Sequence, residues 1–300
     1  MRVTSNRSQA RSVSRPPDLV NCEQWTIACP PVGHGKFEGA LLASKLKERV
    51  RQRQFTIGPL LTNDFWAGYL EIFRDSGMHY AVLDLEHGSC SLRQAEELCR
   101  TARLLDFPLL IRPEACVFHV VKKYLDMGAS GLMIPWTETE EHIGILRDAI
   151  FTPPKGRRGP GGPSIEHNRS LDRAGWDEIE SSFFVMVQIE SRQGLANVQA
   201  LSREPWIDAT MLGPYDLSLN LGLWGQMGHP DLVKAIEQVR DGATAVNKPC
   251  GMVMGKPEQA RFWRDRGFPL LLIPDPSFLV KQHLRWFLNE MESCAGRAKP

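Results

Sequence analysis

Residues 79–105 read HYAVLDLEHGSCSLRQAEELCRTARLL. The first part, 79–84, is nearly continuous apolar sequence, the pattern of a strand buried on both faces rather than one with a wet side. Two carboxylates and a histidine follow at once: Asp84, Glu86 and His87. Beyond them Leu92, Ala95, Leu98, Cys99, Ala102 and Leu105 fall on one stripe of a helix, with Arg93, Glu96, Glu97 and Arg100 opposite. A buried strand, a polar tip and an amphipathic helix make one β-then-α unit.

The same unit recurs along the chain. Apolar runs lie at 55–61, 79–84, 107–112, 131–135, 184–190, 209–213, 250–254 and 270–273, eight in all. Helical patterns occupy 64–76, 92–105, 116–127, 138–150, 230–246, 257–266 and 276–291, with a lead-in helix at 41–53. Pro230, Pro257 and Pro276 suit first helical turns, where a missing N–H costs nothing, and Gly77 suits a helix stop. Eight such repeats predict a (β/α)8 TIM barrel, one α/β domain over 41–292. A partly disordered N-terminal extension, 1–40, precedes it and a tail, 293–300, follows. The competing fold, a doubly wound open sheet, lacks a G-x-G-x-x-G after its first strand. The C-terminal helix carries Phe278, Leu279, Leu284, Trp286, Phe287 and Leu288, enough to pack on a neighbouring subunit or to close its own barrel.

Segment 152–182 interrupts the rhythm with Pro, Gly and charge. As an α-to-β connection it belongs at the bottom of a barrel, so structural or oligomeric roles are expected of it. A formal charge of +1 gives no global basic field for nucleic acid. No apolar run approaches the roughly 18 residues of a membrane span. The seven cysteines are odd in number and scattered, with no C-x-x-C pair, which points to a reducing compartment, the cytoplasm. The first 17 residues hold four arginines, four serines and no acid, a composition that also suits organelle import.

Chemistry in a barrel collects where strands end. Those ends read Leu83-Asp84-Leu85-Glu86-His87-Gly88, Ile111-Arg112-Pro113, Gln188-Ile189-Glu190-Ser191 and Gly213-Pro214-Tyr215-Asp216. Charged groups leaving apolar strands are costly unless paired or bound to a cation. Glu190 and Asp216 come from neighbouring strands and could converge on one divalent ion, the oxygen-only ligation favouring Mg2+ or Mn2+. Two protein ligands would leave positions open for a chelating substrate, as Lewis-acid catalysis requires. A plain salt bridge of these acids with Arg112 or Lys248 is the alternative.

The segments L-D-L-E-H-G, I-R-P, G-A-S-G-L-M-I-P, Q-I-E-S and G-P-Y-D-L-S occur in the order and approximate spacing of the HpcH/HpaI aldolase family. These are metal-dependent, class II pyruvate aldolases within the citrate lyase beta-like superfamily. The resemblance runs from about residue 41 to 280. It implies reversible cleavage of a 4-hydroxy-2-oxo acid to pyruvate and an aldehyde through a metal-stabilised enolate, with Mg2+, Mn2+ or Co2+. Glu190 and Asp216 would be the ligands, with Asp84 and Glu86 bonding waters on the metal. Arg112 would donate to the ketone or enolate oxygen, and His87 would move the proton. Asp126 would support His87, within one chain or across a subunit boundary, in a homotrimer or homohexamer. Gln188 would face the substrate, and backbone around Gly131 and Gly213, Pro214 to Asp216 would grip its carboxylate. Trp136 and Trp224 are candidates for walling the pocket.

Several departures and alternatives accompany the resemblance. A glycine usual near the end of the eighth strand is replaced by Ile273-Pro274-Asp275, and Pro59 follows Gly58. The same enolate chemistry could serve oxaloacetate decarboxylation, addition in specialised metabolism, or acyl-CoA cleavage, for which Arg157-Arg158 hints at a nucleotide groove. A Schiff-base mechanism at Lys248 or Lys256 would leave the carboxylates unexplained. An inactive binding barrel should have lost a charged site residue, and none is missing.

Overall fold

The structure, a computed structural model, describes residues 42–159, 161 and 172–294. The extension 1–40 and most of the tail lie outside them, so those expectations are untouched. Eight parallel strands close into a barrel in chain order, β1 (Thr56–Leu61), β2 (Ala81–Asp84), β3 (Leu109–Arg112), β4 (Gly131–Ile134), β5 (Phe184–Ile189), β6 (Ala209–Leu212), β7 (Cys250–Val253) and β8 (Leu270–Ile273). The register Thr56↔Leu270 to Pro59↔Ile273 joins β8 to β1. The (β/α)8 barrel expected from the apolar runs is therefore what the chain forms.

Strand parity explains both cores. Tyr80, Val82, Leu110, Met133, Phe184, Met186, Ala209, Met211, Leu270 and Leu272 point inward and fill the barrel. Their neighbours Ala81, Leu83, Leu109, Ile111, Val185, Val187 and Ile189 point outward against the helices. Because side chains alternate along a strand, the inward set continues upward as Asp84, Arg112, Gln188 and Glu190. The spacing that packs the barrel thus delivers charge to its mouth.

Helix α1 (Leu42–Arg51) closes the opposite end, with Ala43, Leu46 and Val50 joining the interior core. Lys47 beside them donates to the carbonyls of Ser181 and Phe183 and pairs with Asp208 at 3.2 Å. Outside the strands run α2 (Gly68–Asp75), α3 (Leu92–Leu104), α4 (Phe118–Asp126), α5 (Glu140–Ile150), α6 (Arg173–Ser182), α7 (Arg192–Ser202), α8 (Pro214–Asn220), α9 (Pro230–Ala245), α10 (Pro257–Arg264) and α11 (Pro276–Cys294). Gly77 takes φ +81° just after α2, as expected of a stop. Helices α6, α7 and α8 are additions to the sequence reading.

The described parts of the 152–182 connection, 152–159, 161 and 172–182, lie at the bottom and are more structured than their composition suggests. Thr152 donates through N and Oγ1 to Glu180 Oε1, and Arg173 pairs with Asp177 and Glu180. Arg158 is 1% exposed, paired with Asp126 at 3.0 Å and stacked on the rings of Trp176 and Phe183. Its residues 160 and 162–171 lie outside the described ones. Among the described residues no helix is long and apolar enough to cross a membrane. No disulfide joins Cys90, Cys99, Cys116, Cys250 or Cys294.

Helix α11 packs on the barrel only at its start. Pro276 is buried, whereas Phe278, Val280, Leu284, Trp286, Phe287, Leu288 and Met291 are exposed. Among the described residues it does not cover the barrel beyond that start.

Candidate active site

Asp84 and Arg112 are register partners on β2 and β3. Arg112 Nε donates to Asp84 Oδ1 at 2.9 Å and Nη2 to Oδ2 at 2.7 Å, with both side chains buried. Asp84 also accepts from Thr62 Oγ1 and from the backbone N–H groups of Glu86 and His87. Burial pushes its carboxyl up, but Arg112 and these donors outweigh burial and hold it below the ordinary carboxylate range. Asp84 is thereby fully occupied. It fixes Arg112 and the Glu86–His87 turn.

Arg112 Nη1 lies 3.3 Å from Glu86 Oε2. That oxygen is buried and has no hydrogen-bond donor among the described residues. Burial, the largest influence, and the nearby acids Asp84 and Asp216 push the Glu86 carboxyl up despite Arg112 and His87. His87 Nε2 stands 3.9 Å from the same oxygen, and its ring is 59% exposed.

Glu190, at the tip of β5, is 2% exposed. Its Oε1 accepts from the backbone N–H of Trp136 at 2.7 Å and its Oε2 from Gln188 Nε2 at 2.6 Å. Trp136 has φ +46°, a left-handed conformation costing a non-glycine residue about 1–2 kcal/mol, and this turn aims its N–H at the carboxylate. Gln188 Oε1 is left buried without a donor. Burial first, then Glu86 and Asp216, raises the Glu190 carboxyl to about 7, against the pull of the Trp136 N–H and Arg112.

Gly213 must be glycine for want of space. A Cβ there would lie 2.4 Å from Glu190 Oε2 and 2.8 Å from Gln188 Nε2. Pro214 then opens α8 and sets Asp216 in its first turn, half-buried, with no ion pair or hydrogen bond at its carboxylate among the described residues. The Gly213 N–H is used by the Ile189 carbonyl at 3.2 Å, and Pro214 has none, so anion-gripping donors are confined to Tyr215 and Asp216 at the start of α8.

His87, Arg112, Gln188, Gly213, Pro214 and Asp216 line one cavity of about 440 Å3 at this end of the barrel. Three expectations fall elsewhere. Asp126 ends α4, which runs back to the bottom, and is held by Lys122 at 2.7 Å and Arg158 at 3.0 Å; it does not meet His87 within the chain. Gly131 opens β4 at its lower end, against the Phe184 backbone, too far down to grip a carboxylate. Trp224 is 78% exposed and does not line the cavity.

The salt-bridge alternative is also resolved. Arg112 is committed to Asp84, and Lys248 donates to the carbonyls of Glu204 and Ile207 below the barrel. Of the basic pair that hinted at a nucleotide groove, Arg158 is buried against Asp126, while Arg157 lies over the Phe118 ring with its side chain largely exposed. The sequence reading missed Thr62, which holds Asp84, and the cavity's far wall after β7. The signal for that wall was present as Met252-Val253-Met254-Gly255-Lys256, another strand end on the same face.

Comparison with known proteins bears on the family. The profile of the HpcH/HpaI aldolase/citrate lyase family matches residues 65–269. A 2-keto-3-deoxy-L-rhamnonate aldolase of Escherichia coli is 30% identical over 230 residues, covering 74% of this chain and 83% of that protein. A hydroxypyruvate/pyruvate aldolase of Chromohalobacter salexigens is 29% identical over 231 residues, covering 72% and 88%. The crystal structure of an HpcH/HpaI aldolase/citrate lyase family protein from Burkholderia cenocepacia superposes with a TM-score of 0.76 at 26% identity, covering 83% of this chain and 99% of that one.

Proposed function

This chain belongs to the HpcH/HpaI aldolase/citrate lyase family, and on that premise we propose that it is a divalent-cation-dependent aldolase acting on 4-hydroxy-2-oxo acids. In cleavage the C3–C4 bond breaks and the 4-hydroxyl loses its proton to become an aldehyde carbonyl. The bonding pair passes into an enolate, which is protonated at C3 to give pyruvate. Addition is the reverse.

Glu190 and Asp216 would hold the cation, Mg2+, Mn2+ or Co2+. The donor set fits: both ligands would be carboxylates, and the nearby Glu86 Oε2 and Gln188 Oε1 are buried oxygens with no hydrogen-bond donor among the described residues. Two protein carboxylates would leave positions open for a chelating 2-oxo acid. Bound there, the cation would supply Lewis-acid stabilisation of charge developing on the 2-oxo oxygen.

The remaining residues divide the work. Arg112, oriented by Asp84, presents a charge-assisted donor to the same oxygen. His87, exposed at the cavity edge beside Glu86, takes the 4-hydroxyl proton. Gln188 locks Glu190 by donating to its Oε2 and lines the substrate cavity beside it. Trp136 holds Glu190 through its N–H, and its indole is exposed and does not line the cavity. Asp126 acts on the bottom of its own barrel, and a role at His87 would require a second subunit. The exposed apolar face of α11 supports a homotrimer or homohexamer, and free cysteines are consistent with the cytoplasm.

The observation that carries this reading is the gathering of Glu190, Gln188, Asp216, Arg112 and His87 at one end of the barrel. Its test is release of pyruvate from a panel of 4-hydroxy-2-oxo acids and oxaloacetate, after EDTA and again with added Mg2+, Mn2+ or Co2+. Aldol cleavage lost to EDTA and restored by metal is the expected result. Turnover untouched by chelation would sink it.

A further inference from the structure

The cavity has two unlike walls. On one side stand His87, Arg112, Gln188 and Asp216, which the aldolase reading uses for the 2-oxo acid. The other side is built from Leu60, Met227, Met252, Met254 and Trp263. Met252, Met254 and Trp263 are buried members of the apolar layer between strands and helices, and Met227 packs against that layer from the α8–α9 segment. The cavity therefore runs from the barrel mouth outward over β7, away from the carboxylates and into apolar surroundings.

We propose that this wall selects an apolar aldehyde, branched-aliphatic or aromatic, as the second substrate. The inference rests on the aldolase reading and concerns only the group that the enolate carbon attacks. In addition, the new bond forms between C3 of pyruvate and the aldehyde carbon, a C3 proton leaves, and the aldehyde oxygen gains a proton.

A hydroxylated chain lying on Met252 and Met254 would exchange water for thioethers that accept only weakly, and Trp263 offers a single N–H donor, so most of its hydroxyls would be left unsatisfied. An apolar chain there leaves water with nothing lost, and one methylene in such a pocket is worth about tenfold or more in selectivity. Three methionines make the wall adaptable in shape, since the thioether side chain is unbranched and rotates freely. That favours tolerance among apolar aldehydes of different outline over fit to one. The polar groups on this side, Lys256 and Gln259, are at the outer edge, exposed and half-buried respectively. Only a long substituent would reach them.

Two measurements on the metal-loaded full chain separate this inference from the reading beneath it. Deuterium incorporation into pyruvate from heavy water, followed by mass spectrometry without any aldehyde, reports enolate formation alone. Addition of pyruvate to 3-methylbutanal, benzaldehyde, glyceraldehyde and 4-oxobutanoate then reports acceptor choice. We expect incorporation, and kcat/KM about tenfold or more in favour of the two apolar aldehydes. Met227→Gln, on a half-buried connecting residue, and Met254→Gln, in the wall itself, should each narrow that ratio severalfold. No incorporation overturns the aldolase reading and this inference with it. Incorporation with preference for glyceraldehyde or 4-oxobutanoate, or with no addition to the apolar aldehydes, overturns the acceptor inference alone. An apolar preference that both substitutions leave unchanged removes the methionine wall as its cause and overturns it equally.

Discussion

Asp84 and Arg112 sit opposite each other across β2 and β3 and form a two-bonded ion pair, at 2.9 and 2.7 Å, sealed inside the mouth of the barrel. A pair this buried gains little over an apolar one, but removing one partner strands the other. Asp84→Asn keeps the shape and discards the charge. It should cost about 3–5 kcal/mol in urea unfolding and lower turnover further, because the Arg112 fork loses the partner that orients it.

The same pair sets an acid limit. The folded Asp84 carboxyl is held below its unfolded value of about 3.9, so its stabilisation is complete above that pH. It decays as pH falls from there through the folded value. The stability gap between wild type and Asp84→Asn should be constant near neutrality and shrink below about pH 4. Denaturant titrations at a series of pH values check this, and a gap that widens in acid would contradict the assignment.

Gly213 offers a test of the site that leaves the backbone alone. Its φ of −96° is open to alanine, so only the Cβ matters, and that atom would collide with Glu190 Oε2 and Gln188 Nε2. Gly213→Ala should fold as the wild type does and yet displace Glu190. Metal affinity by calorimetry should drop at least about tenfold, and kcat by about a hundredfold for a displacement near 1 Å. Glu190→Gln, which keeps the volume, should lose metal affinity without the steric cause. Unchanged metal binding in both variants would remove Glu190 from the ligand set.

How far the sequence could be read follows from the range of each interaction. All eight strands were visible because two-faced burial is written locally, in runs such as 109–112 and 184–189. The site acids were visible because strand parity carries them upward from that core. Three helices were not. Helix α6 hides in a Pro- and Gly-rich connection, α7 contains Gly194, and α8 is seven residues long directly after Pro214. What Asp84 and Glu190 touch was also invisible, since Thr62 reaches Asp84 across 22 positions and the Trp136 N–H reaches Glu190 across 54. A backbone donor leaves no mark in the residue type that supplies it.

Helix α11 makes the assembly testable. Its Leu284, Trp286, Phe287 and Leu288 are exposed, and neighbouring apolar side chains left in water are candidates for burial against another subunit. Light scattering should give a trimer or hexamer for the full chain. Leu284→Glu combined with Leu288→Glu should lower that order while leaving the barrel's circular dichroism in place. A wild-type monomer would leave this face without the partner proposed for it.

Asp126 separates a structural from a catalytic role most sharply. Both its oxygens are taken, Oδ1 by Arg158 and Oδ2 by Lys122, and the Arg158 guanidinium has been drawn from water beneath Trp176 and Phe183. Asp126→Asn would leave that buried cation without its counter-charge, and about 3–5 kcal/mol of stability should be lost. If the aspartate instead served His87 of another subunit, its removal would change the pH dependence of kcat, because a carboxylate beside an imidazole raises its basicity. We expect the first outcome: lowered stability, and an unaltered pH profile measured at a temperature where the variant remains folded. A second substitution makes the comparison firm. Arg158→Met removes the buried charge along with its need for a partner, so Asp126→Asn should cost less in that background than alone, whereas a role at His87 would keep its full effect on the profile.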